Sequence, residues 1–126
     1  MYQKLTLIGY VGTKDDAKYT PAGSQVARFS IAATSGYGDK KRTMWVFVSA
    51  FGKTAEFAEK YVHTGNLLMV EGEMRPDDNG NPRIYTNKSG SPATSYEMIA
   101  RDIKLMPSAK NKDNGGDDKF DDAFPF

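Results

Sequence analysis

The chain contains no cysteine and a single histidine, His63, among its 126 residues. Without thiols there is neither a disulfide framework nor a thiolate metal site, and one imidazole is too few for a histidine-based metal cluster, so no cofactor is expected. Long apolar runs are missing as well. No segment approaches the ~20 apolar residues that a membrane span needs. The short run at residues 5–8 is broken by Gly9 and lacks a small-residue cleavage pattern, so the N-terminus does not read as a signal peptide and a cytoplasmic location is expected. Catalytic constellations are absent too. The acid pairs Asp15/Asp16, Asp77/Asp78 and Glu71/Glu73 stand on turns or strands with no accompanying base or nucleophile. Residues 77–81 lack the glycine position and the terminal glutamate of a calcium loop. His63, near the end of a helical segment, reads as a partner of the helix dipole. The chain is not expected to be an enzyme.

Aromatics and a divided charge are what the sequence does hold. The formal net charge is +1, but residues 113–126 carry five aspartates and one lysine, a local −4, which leaves +5 on residues 1–112. A mildly basic body joined to an acidic end suggests a nucleic-acid-binding body with an interaction tail, the alternative being a tail that only aids solubility. Residues 43–53, TMWVFVSAFGK, focus that reading. As a β-strand, their period of two puts Trp45, Phe47, Ser49 and Phe51 on one face and Met44, Val46, Val48 and Ala50 on the other. The first face is aromatic, and Lys40, Lys41, Arg42 and Lys53 flank it. Flat π-surfaces edged by cations suit a flexible polyanion carrying planar bases. The alternative is that both faces are buried, one in a barrel interior and one in a subunit contact.

The rest of the chain reads as short strands, turns and one helix. Residues 2–11 form a first strand whose glycines at 9 and 12 suit a bend at a barrel corner. Tyr19-Thr20-Pro21-Ala22-Gly23 is a turn, and residues 25–33 form a second strand with Ala27, Phe29, Ile31 and Ala33 opposite Arg28 and Ser30. After the aromatic strand the period changes. Thr54 is placed to cap a helix over residues 55–63, with Phe57 and Tyr61 at i, i+4 and Gly65 as its left-handed C-terminal residue. Residues 66–75 return to strand character, residues 76–82 form a hairpin tip, residues 83–87 resume the strand, residues 88–95 are a polar loop, and residues 96–106 form the last strand. The expected class is all-β with one short helix: five strands with a helix between the third and fourth is the order of an OB-fold, a small barrel that binds oligonucleotides or oligosaccharides on its strand two and three face.

Several segments, taken together and in order, carry a more specific likeness. They are Leu7-Ile8-Gly9, Tyr19-Thr20-Pro21-Ala22-Gly23, Val26-Ala27-x-Phe29, Trp45 followed by Phe51-Gly52-Lys53-x-Ala55-Glu56, Tyr61 with Gly65, Val70-Glu71-Gly72, and the closing Asp-Asp-Ala-Phe-Pro-Phe. In these the chain resembles the bacterial-type single-stranded DNA-binding proteins. The resemblance implies a homotetramer of OB-folds at residues 1–106 with DNA wound over it, acting in replication, recombination and repair near the nucleoid. By position, Trp45 and Phe51 match the family's stacking aromatics. Arg83-Ile84-Tyr85-Thr86 matches a run whose aromatic is usually tryptophan, with residues 76–82 as a changed loop. Tyr37 is the aromatic candidate of the loop between strands two and three, and Phe47 stands where a basic residue is frequent. Lys4, Lys18, Lys40, Lys53, Arg75 and Arg83 match phosphate contacts. The alternative is an OB-fold adaptor that binds a protein or an oligosaccharide through the same sheet face.

Residues 107–126 are poor in apolar side chains and are expected to be a disordered linker ending in an acidic tip. At that tip Asp121 and Asp122 precede Phe124, Pro125 and Phe126, so two rings, a rigid proline and a terminal carboxylate are offered together. An apolar pocket with a basic rim would accept all of them, and the resemblance implies replication and repair proteins as the partners. The family's tip commonly reads three acids, Ile, Pro, Phe; here Ala123 and Phe124 depart from it.

Overall fold

The computed structural model describes residues 1–107. Five long strands close on themselves: β1 (Leu5–Lys14), β3 (Gln25–Ser35), β4 (Arg42–Phe51), β5 (Leu67–Met74) and β8 (Tyr96–Leu105). They run in the order β1-β5-β8-β4-β3, and a β1–β3 pairing shuts the barrel, which is an OB-fold. Closure depends on β1 serving two neighbours. Its first half pairs with β5 from Leu5↔Gly72 to Tyr10↔Leu67, and its second half pairs with β3 from Tyr10↔Ala32 to Lys14↔Phe29, with a register shift between Val11 and Lys14. Gly9 and Gly12 sit at this change of partner, as the corner reading anticipated.

The inward faces supply the core. Phe29, Ile31, Val46, Val48, Leu68, Val70 and Met98 are essentially fully buried, along with Ala27 and Ala50. Helix α1 (Gly52–Tyr61) packs on β3, β4 and β8 with Ala55 and Ala58 buried, and these small side chains let its backbone lie close to the sheet. Val62, just past the helix, completes the plug. Phe57 and Tyr61 meet at 4.9 Å between ring centroids, as their i, i+4 spacing requires. Among the described residues, no helix is long and apolar enough to cross a membrane.

The helix ends differ from the sequence expectation. Phe51 occupies the N-cap with no side-chain cap bond, so Thr54 lies inside the first turn. The helix stops at Tyr61 and its C-cap is the extended Val62. Gly65 does take a positive φ of 92°, but in the tight turn where Asn66 N–H donates to His63 O, not as the helix terminator.

The hairpin assignment also changes. Residues 83–87 do not continue β5. Instead β6 (Ile84–Thr86) pairs with β7 (Pro92–Thr94) in a separate two-stranded ribbon, and part of the expected loop at 88–95 is strand. The reason is local turn chemistry used three times. At Thr20–Ser24, Asp77–Asn81 and Asn87–Ser91 the first residue's carbonyl accepts from a glycine three positions on, its N–H donates to the residue four on, and its side-chain oxygen accepts from that residue's N–H. The glycines Gly23, Gly80 and Gly90 take φ of 91°, 84° and 86°, which side chains rarely adopt. The turn beginning at Asn87 makes the same three bonds as the one beginning at Asp77, so a second tight turn falls between β5 and β8 and lets β6 and β7 pair. Short β2 (Lys18–Tyr19) hangs on the edge of β3 through the turn beginning at Thr20.

Candidate nucleic-acid interface

The outer face of β3 and β4 follows from the same alternation that fills the core. Register places Ala32 opposite Trp45, Ser30 opposite Phe47, Arg28 opposite Ser49 and Val26 opposite Phe51, and β2 adds Lys18 beside Val26. Directly paired residues share a face. Small residues on β3 therefore lie beside large rings on β4, and the rings stand above the sheet. Trp45 is 50% exposed and Phe51 41%. Six residues of extended chain put them ~20 Å apart.

Trp45 is supported from below. A Cβ at Gly12 would collide with the six-membered ring of Trp45, so the indole rests on bare β1 backbone while its outer side stays open. Ser30 beneath it is buried and satisfied, since the Thr13 N–H donates to Ser30 Oγ at 3.0 Å and the two hydroxyls bond at 2.9 Å.

Two assignments on this strand are corrected. Met44 belongs by parity to the core face but is exposed, because β3 and β4 run on beyond the barrel as a hairpin arm paired out to Ser35↔Arg42 with no interior left to fill. Ser49 belongs by parity to the open face but is buried: Arg75 lies over it and donates from Nη1 to Ser49 Oγ at 3.3 Å.

The remaining candidates distribute along the same strip. Tyr37, 81% exposed, stands with Lys40 at the tip of the arm, at the N-cap of a single 3-10 turn, Gly38–Lys40. Lys53 is exposed in the first turn of α1, next to Phe51. Tyr85, 49% exposed, is carried by the β6–β7 ribbon. Lys4 is placed elsewhere. It precedes the β5-paired half of β1 and binds Glu71 at 2.9 Å, and this hydrogen bond raises the lysine above its ordinary 10.5 and holds the Glu71 carboxyl below 4.5.

The ribbon is fastened to the barrel through Glu97, Arg28 and Ser95, which were not among the candidates, and through Arg75 and Arg83, which were. Glu97 on β8, only 10% exposed in its side chain, receives Arg83 Nε at 3.4 Å and Arg28 Nη1 at 3.7 Å on one oxygen and the Ser95 hydroxyl at 3.0 Å on the other. Arg28 also lies over the Phe47 ring, 5.1 Å from its centroid. Arg83 Nη1 donates to Pro76 O at 3.2 Å and the Arg75 N–H to Glu97 O at 2.9 Å, so the 76–82 segment is held at both ends. Arg28 was available from the alternation of residues 25–33, which puts it on the outward face. Glu97 carried no motif, and its partners are distant in sequence. Asp121, Asp122, Phe124, Pro125 and Phe126 lie outside the described residues.

A closed OB barrel with an open, cation-edged aromatic strip across β3 and β4 defines the class of molecule. The chain belongs to the single-strand binding protein family, whose family model matches residues 2–106. It is 35% identical over 108 residues to the single-stranded DNA-binding protein of Xanthomonas campestris pv. campestris, covering 82% of this chain and 59% of that protein. It is 30% identical over 118 residues to the single-stranded DNA-binding protein of Neisseria meningitidis serogroup B, covering 90% of this chain and 64% of that one. The chain thus spans under two thirds of the length of these relatives. The crystal structure of the small single-stranded DNA-binding protein from Streptomyces coelicolor has the same fold, with a TM-score of 0.69 at 22% identity over 82% of this chain and 94% of that one.

Proposed function

We propose that this chain binds single-stranded DNA with little sequence preference, by stacking bases on Trp45, Phe51, Tyr85 and Tyr37 and by pairing phosphates with Lys18, Lys40, Lys53, Arg75 and Arg83. The observation that carries this reading is Trp45 itself: half exposed, braced by Gly12, and set in a strip with a second open ring. Phe47 contributes through the arginine lying over it, and Lys4 acts only once released from Glu71. The likeness to single-stranded DNA-binding proteins supports the same ligand. Residues 1–106 are then the binding domain, assembled as a homotetramer, and residues 107–126 the tail whose last residues, Asp121, Asp122, Phe124, Pro125 and Phe126, engage replication, recombination and repair proteins. The function is protective and recruiting, without catalysis.

An oligo-dT titration followed by Trp45 fluorescence, with light scattering for the mass of the complex, tests the proposal. Saturable quenching at the mass of four chains is expected. Unchanged fluorescence with no oligo-dT in the complex would overturn it.

A further inference from the structure

The cleft between the barrel wall and the β6–β7 ribbon, about 410 Å³, differs from the rest of the strip. Phe47 and Tyr85 line it with rings, as elsewhere, but Arg28, Arg83, Ser95 and Glu97 converge in it as well. Phosphate contact needs cations and stacking needs rings, and neither uses a carboxylate. The Glu97 carboxylate fastens the ribbon through its arginines, and where it faces the cleft it can also meet a hydrogen-bond donor on a base.

We infer that this cleft is a base-edge subsite, in which Glu97 accepts from the exocyclic amine of a base while Arg28 or Arg83 donates to that base's ring nitrogen or carbonyl. The inference rests on the single-strand binding proposed above and adds selectivity to it at one position of the path. The chemistry is complementary. An ionised carboxylate only accepts and a guanidinium only donates. Cytosine presents a donor amine beside two acceptors, and glutamate accepting from that amine is an established pairing. Uracil and thymine put a carbonyl oxygen where the amine would be, so their edge sets acceptor against acceptor at Glu97. The carboxylate has about four lone-pair sites. One is taken by the Ser95 hydroxyl at 3.0 Å; Arg28 and Arg83 pair with the second oxygen as ions at 3.7 and 3.4 Å, without an ordinary hydrogen bond, so lone pairs on it stay open to a donor from a base. Ser95 holds the group in orientation from the other oxygen.

The test compares oligo-dC with oligo-dU of equal length, which differ at this edge without the thymine methyl, by fluorescence anisotropy at mildly alkaline pH with the full chain. For the parent, the ratio of dC to dU affinity should exceed that of Glu97→Gln by about fivefold, the low end expected for one base-edge contact. Removing the charge raises phosphate attraction for both oligomers alike, so the ratio isolates the edge. Glu97→Asp keeps the charge but withdraws it by one methylene, and it should also lower the ratio, which keeps the test decisive if the glutamine variant fails to fold. Equal ratios in parent and variants, with tight binding of both oligomers, would overturn the subsite and leave single-strand binding standing. Binding of neither oligomer by the parent would overturn the reading on which the subsite rests.

Discussion

At Trp45 a large ring is kept in water without being left loose. Its underside meets Gly12 backbone while its outer side is open. An aromatic platform contributes ~1–3 kcal/mol per stacked base, whereas one neutralised phosphate changes the salt slope on single strands by about 0.7. Trp45→Ala should therefore weaken oligo-dT binding about five- to 150-fold at fixed salt, the factor that corresponds to that energy. Lys53→Ala should mainly flatten the dependence of log affinity on log salt. A titration series at several salt concentrations separates the two, and equal affinity of Trp45→Ala and the parent would contradict the stacking role. Gly12→Ala supplies the support test. The added methyl must push the indole off β1, so intrinsic tryptophan fluorescence should change in the free protein and oligo-dT affinity should fall although no ligand-facing atom has been removed.

Among the elements, the β6–β7 ribbon stands apart from the barrel. It has its own two-strand pairing and is joined to β8 through Glu97 and its arginines. Its turn needs Gly90 at a φ of 86° with open space around the Cα, so alanine there is strained by backbone conformation alone, at ~1 to 2 kcal/mol. Because the ribbon shares no ladder with the five barrel strands, Gly90→Ala should loosen it, reducing the contribution of Tyr85 to DNA affinity while leaving the barrel's thermal midpoint nearly unchanged. Hydrogen exchange at residues 84–94 compared with residues 46–50 would show the difference. A matching loss of protection in both segments would mean that ribbon and barrel unfold together.

For the molecule as a whole, one ion pair gives stability a defined pH window. Glu71 is held below its ordinary 4.5 by the hydrogen bond from Lys4, so its contribution is present above that value and is lost as pH falls through the lower folded value. Lys4 is raised above 10.5 by the same bond, so its contribution is full below 10.5 and is lost as pH rises through the higher folded value. Both groups are at the surface, so the effect is small and salt-sensitive. Glu71→Gln should therefore be less stable than the parent near neutral pH, and the gap should close as pH falls through the lowered folded value of Glu71. Denaturant midpoints measured from neutral pH into acid check this, and a gap that stays constant across the series would exclude the pair as its source.

The barrel, its helix and the two rings of β4 were legible from the chain alone, because alternation and turn residues are local properties: period two separates Val46, Val48 and Ala50 from Trp45 and Phe51 whatever else the chain does. What parity could not tell was where the interior ends. Met44 emerges because the strand outruns the barrel, and Ser49 is covered because Arg75 folds over it, and both outcomes depend on neighbours brought from elsewhere in the chain. The second reversal at Asn87 was written in the same three-position glycine spacing as the first, yet it becomes visible only when β7 arrives to pair with β6. The junction of Arg28, Arg83 and Glu97 belongs wholly to the tertiary structure. It joins groups from β3, the ribbon and β8, and a carboxylate acquires two cationic partners across such distances only when the closing of the barrel has already placed them side by side.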